Sequence, residues 1–332
     1  MKKLVFPCLL TLFLSVPVWA QSTHALIVTS ASGDEQFKQQ FWDWSSRLYR
    51  ALTERMEVPA DQVIFLFEDP TQDSSIVNGK STKAELLEAA KRLATRVTEG
   101  DILLIALLGH GSHDGKNYKF NLIGPDVTDG ELEELLREFS RQQVVLVTAT
   151  PSSGGLTKTL AGKNRVIIAA TKSEWENNQT VFGGFFVEAL ENTAADTDKN
   201  GRLSVLEAYF YAQKKVAQYY EERQKLATEH PLLEDDGNGQ GSAIPSPKTG
   251  DGLLAATLSL TRPSAGTSAS SSSSPADKQL QALLATKRKL ESDIQALKYK
   301  KPSMEEAEYQ KDLERLLLEL ARTDRQIRSL SE

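Results

Sequence analysis

An open α/β sandwich is the fold class this sequence predicts: a mostly parallel sheet of about six strands with helices on both faces, followed by a C-terminal antiparallel helical hairpin or coiled coil. Three observations predict it. Short β-branched-rich apolar runs alternate with amphipathic stretches of helical length. Several of those runs are apolar on both faces, as strands covered by helices on two sides must be. After Thr261 the chain turns Ser-rich, and then leucines recur at helical spacing.

The elements follow in order. Lys2 and Lys3 precede an apolar run over 4–18, and Val18-Trp19-Ala20 supplies small residues at the positions a signal peptidase reads, so residues 1–20 read as a secretory signal cleaved near Ala20. The expected product is exported, to periplasm or medium, with no membrane span left after cleavage. Cys8 is the only cysteine and leaves with that signal, so disulfides, thiolate zinc sites and iron–sulfur clusters are excluded from the remainder.

Strands are expected at 25–28, 63–67, 102–108, 144–147 and 166–170, with helices at about 35–57, 82–98, 129–141, 180–194 and 204–227. Ser81, followed by Glu85, reads as the cap of the second helix. A sixth strand over 253–260 is expected to close the sheet. The α/β domain therefore spans 21–261, with a flexible Ser-rich linker over 262–276. In 277–332, Leu280, Leu283, Leu284, Leu290, Ile294 and Leu297 form one apolar stripe, and Leu313, Leu316, Leu317, Leu320, Ile327 and Leu330 a second. Lys301-Pro302-Ser303 breaks them, which predicts two antiparallel helices able to dock a partner or a second copy.

The chain has 332 residues, 40% of them hydrophobic, enough to build a sizeable core. Its 39 basic and 45 acidic side chains give a net charge of −6, which argues against nucleic-acid binding because phosphate neutralisation needs a concentrated basic face.

Residues 196–207 fit the EF-hand pattern D-x-[DN]-x-[DN]-G-x5-E at every defined position. Asp196, Asp198 and Asn200 place side-chain oxygens at positions 1, 3 and 5. Gly201 allows the turn, the Arg202 carbonyl stands at position 7, Ser204 at position 9, and Glu207 closes the shell at position 12. The expected cofactor is Ca2+. Asp236-Gly237-Asn238-Gly239-Gln240-Gly241 begins like a second loop, but Pro247 stands where the closing Glu belongs, so it reads as a turn-rich surface loop.

Two further loops leave the C-terminal ends of neighbouring expected strands, where open α/β sheets place their sites. The first is Gly109-His110-Gly111-Ser112-His113 and the second Thr150-Pro151-Ser152-Ser153-Gly154-Gly155. With Asn164-Arg165 leading into the 166–170 run, and Phe182-Gly183-Gly184-Phe185-Phe186 after it, this arrangement resembles the caspase/legumain-like cysteine peptidases over roughly 23–260. The resemblance implies their caspase-like fold, with His110 at the catalytic histidine and Pro151 at the nucleophile. Proline has neither thiol nor hydroxyl, so His-activated attack has no attacking atom.

The expectation is an inactive peptidase frame that binds calcium and a protein or peptide partner through the cleft near His110, with the C-terminal helices for assembly. The rival expectation is a hydrolase that uses Ser152 or Ser153 with His110. His113 reads as a solvated loop histidine, Trp175 as a peptide contact or a packing residue, and Gly79-Lys80-Ser81-Thr82 is rejected as a phosphate loop because its first glycine is missing. His24 and His230 carry no assigned role.

Overall fold

The computed structural model describes residues 22–248, 250–260 and 304–331, with scattered positions between 283 and 301. A seven-stranded sheet forms its centre. In chain order its strands are β1 (Thr23–Thr29), β2 (Val63–Phe67), β3 (Gly79–Lys80), β4 (Ile102–Leu108), β8 (Gln143–Ala149), β9 (Arg165–Ala169) and β10 (Leu232–Glu234). A separate three-stranded sheet holds β5 (Gly111–His113), β6 (Tyr118–Phe120) and β7 (Val127–Thr128). The large sheet runs β10-β9-β8-β4-β1-β2-β3, parallel throughout except for β10, which pairs antiparallel with β9.

Register explains why the strands are apolar on both faces. Ile64, Leu26, Ile105, Leu146 and Ile167 lie side by side across five strands. The next row is Phe65, Ile27, Ala106, Val147 and Ile168. Strand periodicity sends the two rows to opposite faces. The first row packs with α2 (Lys83–Ala94) and α3 (Asp129–Arg137), through Leu86, Leu93, Leu132 and Leu136. The second packs with α1 (Glu35–Arg50), α5 (Phe182–Glu191) and α6 (Val205–Glu222), through Phe41, Leu48, Phe182, Phe186 and Tyr209. Each buried Leu or Ile contributes about 2 kcal/mol of transfer free energy, so neither face can be exposed without unfolding the domain.

Helix starts follow side-chain chemistry. Asp34 accepts from the Phe37 N–H at the head of α1, and Thr128 and Ser204 form reciprocal capping boxes with Glu131 and Glu207 at the heads of α3 and α6.

Several expectations need correction. Thr82, not Ser81, caps α2, because its side chain accepts from the Glu85 N–H while Ser81 is fully buried. Gly79-Lys80 is the edge strand β3. The expected sixth strand over 253–260 is instead the short helix α7 (Leu253–Thr257), and β10 takes the sheet edge. The reason is local: the Asp235 carboxylate accepts from the N–H groups of Gly252 and Ala255 and so holds the first turn of a helix, a choice that a five-residue apolar run leaves open by periodicity alone. The small sheet β5–β7 and the short α4 (Leu156–Thr159) carried no sequence signal strong enough to place them.

Residues 1–21, which hold the expected leader, and the linker over 262–276 lie outside the described residues. Among those described, no helix is long and apolar enough to cross a membrane. A helix covers Glu306–Ser331. Tyr309 and Leu316 on it pack with Leu290, Ile294 and Leu297, and Lys287 pairs with Asp324 at 2.7 Å. Much of the chain between 277 and 303 lies outside the described residues, so the antiparallel hairpin stays a proposal.

Candidate functional site

The end of β4 turns through Gly109, whose φ of +128° is unfavourable for any residue with a side chain. A Cβ there would also collide with Ser30 Oγ. That turn sets His110 beside Ser30, whose hydroxyl accepts from the His110 N–H at 2.7 Å. The His110 ring is held from three sides. Its Nε2 lies 3.1 Å from the Ser32 carbonyl, and the Phe37 and Phe41 rings meet it edge-on with centroids 4.6 and 5.0 Å away. A carbonyl only accepts, so the proton of this bond is on Nε2.

Gly111 brings this loop onto the next one. A Cβ on Gly111 would lie 2.9 Å from the Pro151 carbonyl oxygen and 2.7 Å from both Thr150 Oγ1 and the Tyr118 hydroxyl. Tyr118 and Thr150 share a 2.7 Å bond between their hydroxyls, and burial pushes the Tyr118 phenol well above its ordinary range. Thr150 Oγ1 also reaches the Pro151 carbonyl at 3.1 Å.

His110 and Pro151 therefore sit in abutting loops. Both serines beside Pro151 are buried. Ser153 is fully buried, and its hydroxyl donates to the Thr150 carbonyl at 2.9 Å. Ser152 is 1% exposed, takes a left-handed φ of 58°, and donates its backbone N–H to the Glu176 carbonyl.

Glu176 belongs to the loop between β9 and α5, which rims the same end of the sheet. Its carboxylate accepts from the backbone N–H groups of Lys172 and His230 and bonds His230 Nδ1 at 2.5 Å. Trp175 beside it is 73% exposed and approaches the His113 ring edge-on at 6.2 Å. His113 accepts from the Gly115 N–H, but it is not the solvated loop histidine expected: it ends strand β5, half-buried and paired with Tyr118. His24 lies buried at the start of β1, 4.0 Å from Asp101, at the opposite end of the strand from this rim. A hollow of about 450 Å³ lies on the C-terminal helices, lined by Leu290, Leu297 and Leu316 among others.

Calcium-pattern residues gather between α5 and α6. Carboxylate oxygens of Asp196, Asp198 and Glu207 lie within 4.8 Å of one another. Gly201 makes the turn at φ +77°, and the Asp196 carboxylate accepts from the N–H groups of Asn200 and Gly201. Glu207 folds back over the loop: Oε1 accepts from the Thr197 N–H at 2.9 Å, and Oε2 from Ser204 Oγ at 2.7 Å. Burial, then the Glu207 charge, pushes the Asp198 carboxyl above its ordinary range. Asn200 Oδ1 accepts from the Arg202 N–H, so three of the six expected ligands share the acidic group and Asn200, Arg202 and Ser204 flank it. Leu203 is buried in the core, and a Ser204–Ser259 bridge fixes the far side of the loop.

A second acidic group, Glu234, Asp236 and Asp251, also brings carboxylate oxygens within 4.8 Å. Either group could hold a metal ion. The sequence marked Asp236 only as the start of an incomplete loop; Glu234 and Asp251 lie outside that pattern and carried no signal.

No family model and no curated protein matches the chain. Among solved structures it is similar to protein GSU0716 from Geobacter sulfurreducens, at 15% identity and a TM-score of 0.41, over 64% of this chain and 92% of that one.

Proposed function

We propose that this chain is an exported, catalytically inactive caspase/legumain-like protein. It binds calcium at 196–207 and offers the rim around His110 and Trp175 to a peptide or protein partner, with the C-terminal helices as an assembly arm. One observation carries the reading: Pro151 occupies the turn that abuts the His110 loop, and the serines beside it are buried. His110 then acts as a packed, hydrogen-bonded wall of the rim, and the exposed Trp175 offers the large apolar contact that peptide recognition favours.

A second reading, hydrolysis through a shifted serine, draws on the left-handed backbone of Ser152, a strained conformation that active sites often use. Treating the purified protein with a serine-reactive fluorophosphonate and a mixed peptide library, with and without calcium, separates the two. We expect neither labelling nor cleavage; labelling that disappears in Ser152→Ala would establish the second reading instead.

Calcium at 196–207 has a modest expected effect. Extracellular sites of this kind bind with Kd of about 10⁻⁴–10⁻³ M. At millimolar calcium that linkage stabilises the fold by about 1 kcal/mol. Thermal melts in calcium and in chelator should therefore differ, and Glu207→Gln should remove this loop's share of the difference. An unchanged calcium response in Glu207→Gln and in Asp196→Ala would remove the loop from the functional account.

A further inference from the structure

β10 ends at Glu234 and the chain turns back on itself, so that Leu233 and Ser242 exchange both backbone hydrogen bonds, at 2.9 and 2.8 Å. The tip between them carries Asp235, Asp236 and Asn238, with left-handed turns at Gly237 and Gly239. Asp251 comes from the segment that crosses this tip. Its Oδ1 accepts from the N–H groups of Asp235 and Asp236, while Asp235 returns the favour by accepting from Gly252 and Ala255. Four carboxylates thus crowd two crossing segments. Glu234, Asp235 and Asp251 are buried, and among the described residues no lysine or arginine pairs with any of the four. Backbone N–H groups account for Asp235, and Asp236 is occupied with Asn238.

Glu234 differs from the rest. Its side chain is completely buried, Oε1 accepts from the Gly239 N–H at 3.1 Å, and Oε2 has no hydrogen bond of good geometry. A buried carboxylate oxygen without a good hydrogen bond costs several kcal/mol unless a proton or a cation meets it. This oxygen belongs to the same side chain that lies within 4.8 Å of Asp236 and Asp251.

We propose that Glu234, Asp236 and Asp251 form a second cation site, separate from the 196–207 loop, that takes a hard divalent cation of the calcium type. Three carboxylates from a hairpin tip and a crossing segment make a flexible all-oxygen donor set, which suits calcium better than the rigid octahedron that magnesium demands. Occupancy would neutralise Glu234 Oε2 and tie the 250–257 segment to the hairpin. The hairpin also reaches the rim: a Cβ on Gly241 would lie 2.8 Å from Thr157 Cγ2, and Thr157 Oγ1 donates to the Gly154 carbonyl beside Ser153. An ion here braces the turn that carries Pro151 from behind.

The test is equilibrium dialysis of the full chain against calcium after chelator treatment. We expect two ions per wild-type chain, one in Glu234→Gln, one in Glu207→Gln and none in the double variant. Asp236→Asn alters an exposed side chain and so leaves the fold intact; it should weaken calcium binding at this site at least tenfold. Glu234→Gln and Asp236→Asn that bind calcium as the wild type does would overturn the proposal. Glu207→Gln binding as many ions as the wild type would count against the 196–207 loop alone and leave this site standing.

Discussion

Gly154→Ala is expected to lower the free energy of unfolding by about 3 kcal/mol, near the top of the range for overpacking a close-packed site. The cause is backbone against backbone. A Cβ on Gly154 would stand well inside 3.0 Å of the Ser173 nitrogen and the Lys172 carbonyl carbon, and 2.6 Å from Ser173 Cα. No rotamer change relieves that collision; the loop between β9 and α5 must move away. Moving it stretches the bond from the Gly154 N–H to Thr171 Oγ1 and the one from the Ser152 N–H to the Glu176 carbonyl, which together seat the Pro151 turn under the rim. Gly155→Ala is the matched control, because a Cβ there meets nothing within 4 Å and its backbone is already helical. Urea unfolding of the two variants should show a large loss for Gly154→Ala and a change within about 1 kcal/mol for Gly155→Ala. Equal effects would mean that the 150–155 turn is not locked to the loop above it.

The sequence displays the sheet plainly because both of its faces are covered. Runs such as Val63–Phe67 need no alternation, and their shortness with β-branched and aromatic residues separates them from helices. What it hides is whatever tertiary hydrogen bonds decide. The 253–257 stretch is apolar enough for a strand, yet Asp235, eighteen residues before it, caps it as a helix. Leu232–Glu234 becomes the sheet edge because Ile167, Ile168 and Ala169 of β9 offer it backbone partners, a long-range choice that three residues cannot announce.

The candidate site divides along the same line. The 196–207 loop is local: its ligands are spaced by the geometry of one turn, so Asp196, Asp198 and Glu207 are legible as a pattern and the structure brings them together. His110 and Pro151 are legible because each ends a recognisable strand. Glu234 and Asp251 meet only through the folding of the hairpin tip against a crossing segment. Phe37, Phe41 and Ser32, which hold the His110 ring, come from the turn and helix after β1, about seventy to eighty positions away in the chain.

Glu229→Gln is expected to change the pH dependence of stability strongly. Glu229 is 1% exposed and accepts from the N–H groups of Val181 and Phe182 at the head of α5, with the Tyr220 hydroxyl on the same carboxylate. Burial, chiefly, pushes its carboxyl up to about 7. In the unfolded chain it titrates near the ordinary value of 4.5. Between those values the folded state holds a proton that the unfolded state has lost, so stability from this group is complete below 4.5 and falls as the pH rises through 7. The difference corresponds to about 3 kcal/mol, because each tenfold change in proton affinity is 1.36 kcal/mol. Glutamine keeps one oxygen for one of the two N–H groups and leaves the other without an acceptor, a loss of about 1–3 kcal/mol that does not vary with pH. In chelator, the variant should therefore melt below the wild type at pH 5, and the gap should close or reverse at pH 8. Groups that do not interact with Glu229 affect both proteins alike and cancel in the comparison. A gap of constant size across that range would mean that Glu229 is ionised throughout, held so by the two N–H groups at the head of α5.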